Sequence, residues 1–497
     1  MTVTEPRVAG PELERPRIPR IRKLAPYFLA AALLSIPCVW QRHIQANDLS
    51  SHLYNAWLAN QAAAGQLQGL YVVPQRSNVL FDLMLSWLLK SGSVALTERV
   101  AVLTAVQIFF WCCFALVSVV AGRPAWRVAL FLVFLTYGAV FRLGFFNFYM
   151  SAGICCGAIA LVWQNRPRAR WLAIPVLLIA AVAHFLPCLW ATAVIVYVLA
   201  ARRLTPVQLR WLAGVALAGI VSLTVLLATS VRTVWEFGLP VPSSFGVDQV
   251  MNFSSKDVFV AAGLLGCWIM LLARRFKMQP RPIEDVAFQL WVLTGTTCLL
   301  APKVIWLPFY AGGLTFILAR LSLLSGILFC AAIARVPVKR LEKAVHFSVL
   351  GLFLLFSYAD ERALNSMEQK VAQAVAGLPP GSRVVATLKD SRLLIQALQH
   401  IVDRPCIGRC FDFVNYEPAT TQFRLRARPD NSYVLANYAD LSDLQEERFV
   451  FRRTDVDVYR LSPCGGATRD VCVTRLKPGE RLFREDIQAL ASAAWIW

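Results

Sequence analysis

Residues 78–90 read NVLFDLMLSWLLK. If this segment crosses a membrane, every later loop changes side. If it lies along the surface, none does. A helical crossing needs about 20 apolar residues, and this run is short for that. The Lys and Arg count points the same way. With the N-terminus inside and 78–90 not crossing, the chain divides into spans at 23–41, 100–121, 126–142, 145–163, 171–184, 186–201, 211–231, 257–273, 284–301, 309–333 and 344–358. The inside stretches, counted with their flanking residues as 1–23, 122–127, 164–170, 202–210, 274–281 and 335–343, then hold 22 Lys and Arg, against 8 in the much longer outside segments. Cytoplasmic loops carry such an excess. Residues 78–90 are therefore expected as a helix at the outer interface.

The rest of the composition agrees. The chain has 497 residues, 57% hydrophobic and only 16% charged, where soluble domains carry roughly a quarter charged residues. Mean hydropathy is +0.54. The expected fold class is a polytopic α-helical membrane protein of eleven spans. Alternating short segments of an outer-membrane barrel are absent. The net charge of +20 follows from the basic inside loops and does not point to nucleic acid. The first apolar run is followed by Arg42-His43-Ile44-Gln45, which is no cleavage site.

Three regions are expected: a disordered cytoplasmic tail over 1–22, a membrane domain over 23–358 with a large outer loop at 42–99, and an extracytoplasmic α/β domain over 359–497. In the last region, 364–376 has helical spacing, LPPGSRVV reads as a turn into a strand, and YVLANY (433–438) and VDVYRLSP (456–463) read as strands. It holds Cys406, Cys410, Cys464 and Cys472. An even set in an oxidising compartment points to disulfides, and 406–410 with 464–472 is the simplest of three pairings. Zinc is the alternative, but the spacing is not zinc-like and no His is interleaved.

Residues 47–82, NDLSSHLYNAWLANQAAAGQLQGLYVVPQRSNVLFD, are polar where their neighbours are apolar. Asp48 opens them. A carboxylate there can take a proton from a hydroxyl or hold a metal; it can equally cap the following helix. His52, four residues on, shares its helix face, with a structural histidine as the alternative. Arg76 suits bidentate phosphate binding or a headgroup anchor. Arg142 opens an aromatic turn, RLGFFNFYM, readable as a lipid or sugar site or an interface belt. Lys303 is a lone cation between prolines, for phosphate contact or snorkelling. His184 stands at a tight turn as a further binding candidate or a structural residue. Asp82 faces an apolar helix and is expected to pair with Arg76. Loop 232–256 is long enough for a mobile lid. Walker, Rossmann, HExxH and nucleophile-elbow motifs are absent.

This layout resembles the GT-C fold of membrane glycosyltransferases: an inside N-terminus, one span, a long outer loop with an aspartate near its start, further spans and an outer domain. The LPPGSRVV entry is similar to the C-terminal part of bacterial members. The resemblance implies a bacterial inner-membrane enzyme using a polyprenyl-phosphate-linked sugar. Asp48 would be its base, and Arg76, Arg142 and Lys303 its phosphate contacts. It implies no certain cofactor, a divalent metal being compatible, and envelope-assembly partners. Asn47 precedes Asp48, so the paired acidic motif is missing, and Pro74-Gln75-Arg76 stands where a Lys-Pro-Pro element is expected. Two other expectations are a non-enzymatic scaffold for envelope polysaccharide and a transporter.

Overall fold

The computed structural model describes residues 20–235, 241–278, 281–306, 313–420, 422–445, 447–464 and 470–482. Residues 1–19 of the expected tail lie outside these. The helices are α1 (Arg20–Ser35), α2 (Leu49–Ala63), α3 (Leu80–Leu88), α4 (Val94–Ala121), α5 (Ala129–Thr136), α6 (Ala139–Arg142), α7 (Phe146–Trp163), α8 (Pro167–Ala183), α9 (Phe185–Ala201), α10 (Pro206–Ser230), α11 (Val241–Ser244), α12 (Asp257–Met278), α13 (Val286–Leu299), α14 (Ile317–Ile333) and α15 (Arg340–Ala376). Beyond them come α16 (Asp403–Cys406), α17 (Tyr416–Ala419) and α18 (Tyr438–Gln445).

Among the described residues, five helices (α4, α7, α10, α12 and α15) are long and apolar enough to cross a membrane, and others are shorter apolar helices. The 126–142 run is not one helix; it breaks between α5 and α6 at Tyr137-Gly138. The most apolar window of α10 has none of its residues buried, and Trp211, Val215, Leu223 and Leu226 stand exposed along it. An apolar surface of that length needs a lipid or protein cover. Helix α3 has nine residues, or about 14 Å of rise, half of what a crossing requires.

Helix ends are set by ordinary capping chemistry. Ser93 accepts from Leu96 N–H at the start of α4, and Gly122 ends it in the left-handed region. Thr205, Pro206 and Gln208 form a capping box with proline in the first turn of α10.

The basic loops gather at one end of the bundle. Arg202 donates to the Val162 and Trp163 carbonyls, Arg335 to Val120 O, and Arg275 to Ala332 O and Asp285. The other end carries the starts of α4, α7, α12 and α14, and there the 47–82 segment folds.

Helix α15 runs unbroken for 37 residues, about 55 Å. A segment expected to leave the membrane after Tyr358 and a separate helix over 364–376 are thus one rod. Its second half packs Leu364, Met367, Val371 and Val375 against Val384, Leu398, Cys406 and Leu461 of the C-terminal region. Tyr54, Leu58 and Leu70 of the first loop lie in the same core, with Leu143 and Phe253. The loop and the C-terminal region therefore fold as one body.

Strand β1 (Leu70–Val72) pairs antiparallel with β7 (Leu425–Ala427), which joins the two segments. Strands β2 (Arg232–Val234), β3 (Val304–Trp306) and β4 (Gly313–Leu314) form a small sheet. The main sheet has the order β6 (Cys410–Asp412), β5 (Ser382–Ala386), β8 (Val458–Pro463), β9 (Val471–Arg475). Strand β5 is parallel to both neighbours, and β8–β9 is antiparallel. Disulfides join Cys406 to Cys410 and Cys464 to Cys472. The expected strand at 433–438 does not form. Asn431 Oδ1 accepts from the Tyr433 and Val434 N–H groups, a local bond that competes with a ladder, and α18 begins at Tyr438.

Loop 232–256 differs from the lid reading where it is described. Ser243, Ser244, Val247, Gln249, Val250, Asn252 and Phe253 are buried. Ser322 Oγ bonds the Asp248 carboxylate, and Gln249 Nε2 donates to Ala319 O. From Val241 onward it is a packed wedge. Residues 236–240 lie outside the described ones.

Candidate functional site

Asp48 sits just ahead of α2. Its backbone is fixed from below: Asn47 N–H donates to Arg142 O at 2.8 Å, and Asp48 N–H to Leu143 O at 3.2 Å. Gly144, at φ +81°, makes this approach feasible; a Cβ there would lie 2.5 Å from Asp48 N. Asp48 occupies the N-cap position but in helical geometry, and its side chain caps no N–H. The carboxylate is thus left for other partners. Asn47 Nδ2 donates to Oδ1 at 3.1 Å, and His400 Nε2 lies 3.7 Å from the same oxygen. Burial raises the Asp48 carboxyl above its ordinary range, while His400, His52 and Arg320 pull it back.

His52 forms the second unit. Its Nδ1 donates to Asp82 Oδ1 at 2.7 Å. Asn147 Nδ2 donates to the other Asp82 oxygen at 2.7 Å, and Asn147 Oδ1 accepts from Phe81 N–H at 2.8 Å. Asp82 is held from α2, α3 and α7 together. Burial alone would lower His52, but the Asp82 charge and hydrogen bond, with Glu417 and Asp48, raise it to about 9. Burial works against Asp82 ionising, yet His52, Arg424 and Asn147 hold it below the usual carboxylate range. Glu417, buried at the start of α17, is pushed up to about 8 by burial and by the Asp82 charge.

His400 forms the third unit. Its Nδ1 faces Asp403 Oδ2 at 3.3 Å, and its backbone carbonyl accepts from Ser50 Oγ at 2.7 Å. Asp412 lies within the field of Asp403, and its carboxyl is raised well above its ordinary value by burial and by the Asp403 charge. Asp412 N–H donates to Tyr54 Oη at 2.9 Å. The Tyr416 ring lies 5.4 Å from the His400 ring. Cys406 ends α16 and Cys410 begins β6, so their disulfide ties the Asp403 turn to the Asp412 strand. Arg404, the next residue, is clamped by Glu368 of α15 at 2.6 Å and Glu98 of α4 at 3.2 Å.

The residues expected from sequence are only partly brought together. Asp48 and His52 are in the site. Asp82, expected against Arg76, pairs instead with His52 and Asn147, because α3 turns it toward α2 and α7. Arg76 is exposed and forms no ion pair with a described residue. Arg142 is fully buried and bound to Glu361 at 2.5 Å, with Nη1 also reaching Gln45 O; its backbone, not its charge, serves Asp48. His184 caps α9 through Leu186 N–H and packs edge-on to Phe148. Lys303 is exposed beside β3, its N–H on Val234 O. Besides the two histidines, the arginine that acts on Asp48 is Arg320 of α14, 4.5 Å from the Phe145 ring centroid and also felt by His184.

Sequence reasoning missed His400, Asp403, Glu417, Arg320 and Arg424. Arg424 donates to Asp82 O at 3.1 Å and to Ser86 Oγ. It also lines a cavity of about 380 Å³ with Val72, Val73, Pro74, Gln75, Val79 and Leu83. His400 alone carried a signal, as one of only five histidines.

The residues do not fit a divalent metal. No three of His, Cys, Asp and Glu are placed to hold one ion among the described residues. Each imidazole beside Asp48 is engaged by its own aspartate. The arrangement suits proton chemistry: a carboxylate 3.7 Å from one histidine and in the field of a second, each histidine facing an aspartate.

No protein-family model, curated protein or solved structure matches the chain.

Proposed function

We propose that the chain is a membrane glycosyltransferase, moving a sugar from a polyprenyl-phosphate-linked donor to an acceptor hydroxyl at the outer face of the bacterial cytoplasmic membrane. In this reading the N-terminus and basic loops are inside, the eleven segments cross, and the 47–82 end of the bundle is outside. The observation that carries it is the Asp48 carboxylate. It is released from helix capping, half-buried, 3.7 Å from His400 and within the field of the His52 charge at the end of an apolar bundle.

As the acceptor oxygen attacks the anomeric carbon, the bond from that carbon to the phosphate oxygen breaks and its electron pair leaves with the phosphate. Asp48 takes the hydroxyl proton. Arg320 is the cation placed to offset the leaving charge. The apolar cavity with Arg424 at its wall suits a donor with a greasy body and an anionic head. The test is sugar transfer by the full-length protein in proteoliposomes, across a panel of polyprenyl-phosphate sugars and hydroxyl acceptors. Transfer that needs protein and donor supports the reading; absence of transfer with every donor overturns it.

A non-enzymatic scaffold in envelope polysaccharide assembly is the second reading. It is favoured by one observation: Arg142, next to Asp48, has its charge taken up by Glu361, and His184 caps α9. Saturable binding of polyprenyl phosphate without turnover would select it.

A further inference from the structure

The imidazole of His400 bridges two carboxylates from distant parts of the chain. Nε2 faces Asp48 at 3.7 Å and Nδ1 faces Asp403 at 3.3 Å. The ring is 8% exposed and Asp403 is 1% exposed. Asp403 has no other cation within ion-pair distance among the described residues, although Arg404 acts on it through space. Such a geometry favours an imidazolium: each ring nitrogen lies within ion-pair distance of a carboxylate, and a neutral ring would leave one of those acids without a counter-charge. From the other elements, His52 of α2 faces it as a like charge and Tyr416 of α17 packs on the ring. The Ser50 hydroxyl and the Cys406–Cys410 disulfide hold the segment in place.

We propose that His400, oriented by Asp403, is the positioning residue that keeps Asp48 ionised, so that the C-terminal region completes the site opened by the first loop. This rests on the glycosyl-transfer reading only for its activity readout. In the resting site the His400 proton stays on the imidazole and the Asp48 carboxylate stays open to the acceptor proton. Neighbouring cations lower a carboxylate by about 1–3 pH units. Removing this one moves Asp48 ionisation to higher pH.

The experiment uses the full-length protein in nanodiscs. The Asp48 C=O stretch is followed by infrared difference spectroscopy against pH and identified by its loss in Asp48→Asn. In parallel, the pH profile of sugar transfer is taken with a polyprenyl-phosphate sugar. His400→Gln is expected to move both the Asp48 titration and the acid limb of the profile upward by about one pH unit or more. His400→Lys, which restores a cation, is expected to move them back. His400→Asn, which is also neutral, is expected to shift them in the same direction as His400→Gln and serves if that variant does not fold. An Asp48 band that titrates at the same pH in His400→Gln or His400→Asn overturns the proposal, even if turnover falls. If no variant or wild type transfers sugar while the band still shifts, the glycosyl-transfer reading fails and the role of His400 stands.

Discussion

His52 Nδ1 and Asp82 Oδ1 meet at 2.7 Å between α2 and α3, with Asn147 of α7 closing the other side of the carboxylate. This pair converts the short α3 helix from a surface feature into a wall of the site. It also makes His52 a cation near neutral pH, since its folded value lies near 9 against an ordinary 6.5.

The first prediction follows from linkage. A histidine raised on folding contributes stability that is complete below its unfolded value and is lost as pH rises through the folded one. The window is about pH 6.5 to 9, and the contribution is on the order of 3 kcal/mol. The thermal midpoint in detergent should fall across this window, and Asp82→Asn should flatten that part of the curve. An equal slope in both proteins would remove the ion pair from the account.

Arg142 gives the second. It is buried against Glu361, and breaking a buried pair by removing one partner costs about 3–5 kcal/mol. Arg142→Met and Glu361→Gln should both lower thermal stability markedly. A phosphate-binding arginine would behave otherwise: Glu361→Gln would leave stability near wild type and Arg142→Met would raise the donor KM alone.

Arg404 gives the third. It bridges Glu98, Glu368 and the Ile44 carbonyl, so it ties α4, α15 and the first loop to the C-terminal region. Arg404→Ala should cost about 3–5 kcal/mol. In limited proteolysis it should expose the 359–497 region before the helical bundle. Uncut protein under conditions that cleave other destabilised variants would count against the clamp.

Gly144 gives the fourth. Its left-handed backbone and its approach to Asp48 N leave no room for a Cβ. Gly144→Ala should displace the start of α2, costing roughly 1–2 kcal/mol from the backbone conformation alone and depressing turnover more than stability. A Gly144→Ala protein with wild-type kcat would show that the turn does not position Asp48.

Much of this was legible in the sequence where composition and length carry it. Hydrophobic runs and basic loops marked the bundle, and the 13-residue apolar run could not reach across a bilayer. The proximity of Asp48 and His52 was legible because they are close in sequence and share a helix turn. Asp82 was misread because its partners, His52 and Asn147, meet it only through the tertiary packing of α2, α3 and α7. His400, Asp403 and Glu417 lie in a region of ordinary charged composition, where nothing local separates a site carboxylate from a solvated one. Arg142 and Arg76 show the reverse failure. Residue type alone cannot tell a buried counter-ion or an exposed loop cation from a ligand contact.

The central claim is that Asp48 takes a proton during sugar transfer. The direct measurement is the single-turnover rate of transfer from a polyprenyl-phosphate sugar by Asp48→Asn, in protein whose thermal midpoint matches wild type. The account predicts a fall of about 10²–10⁴-fold with donor affinity retained. Turnover equal to wild type would contradict it.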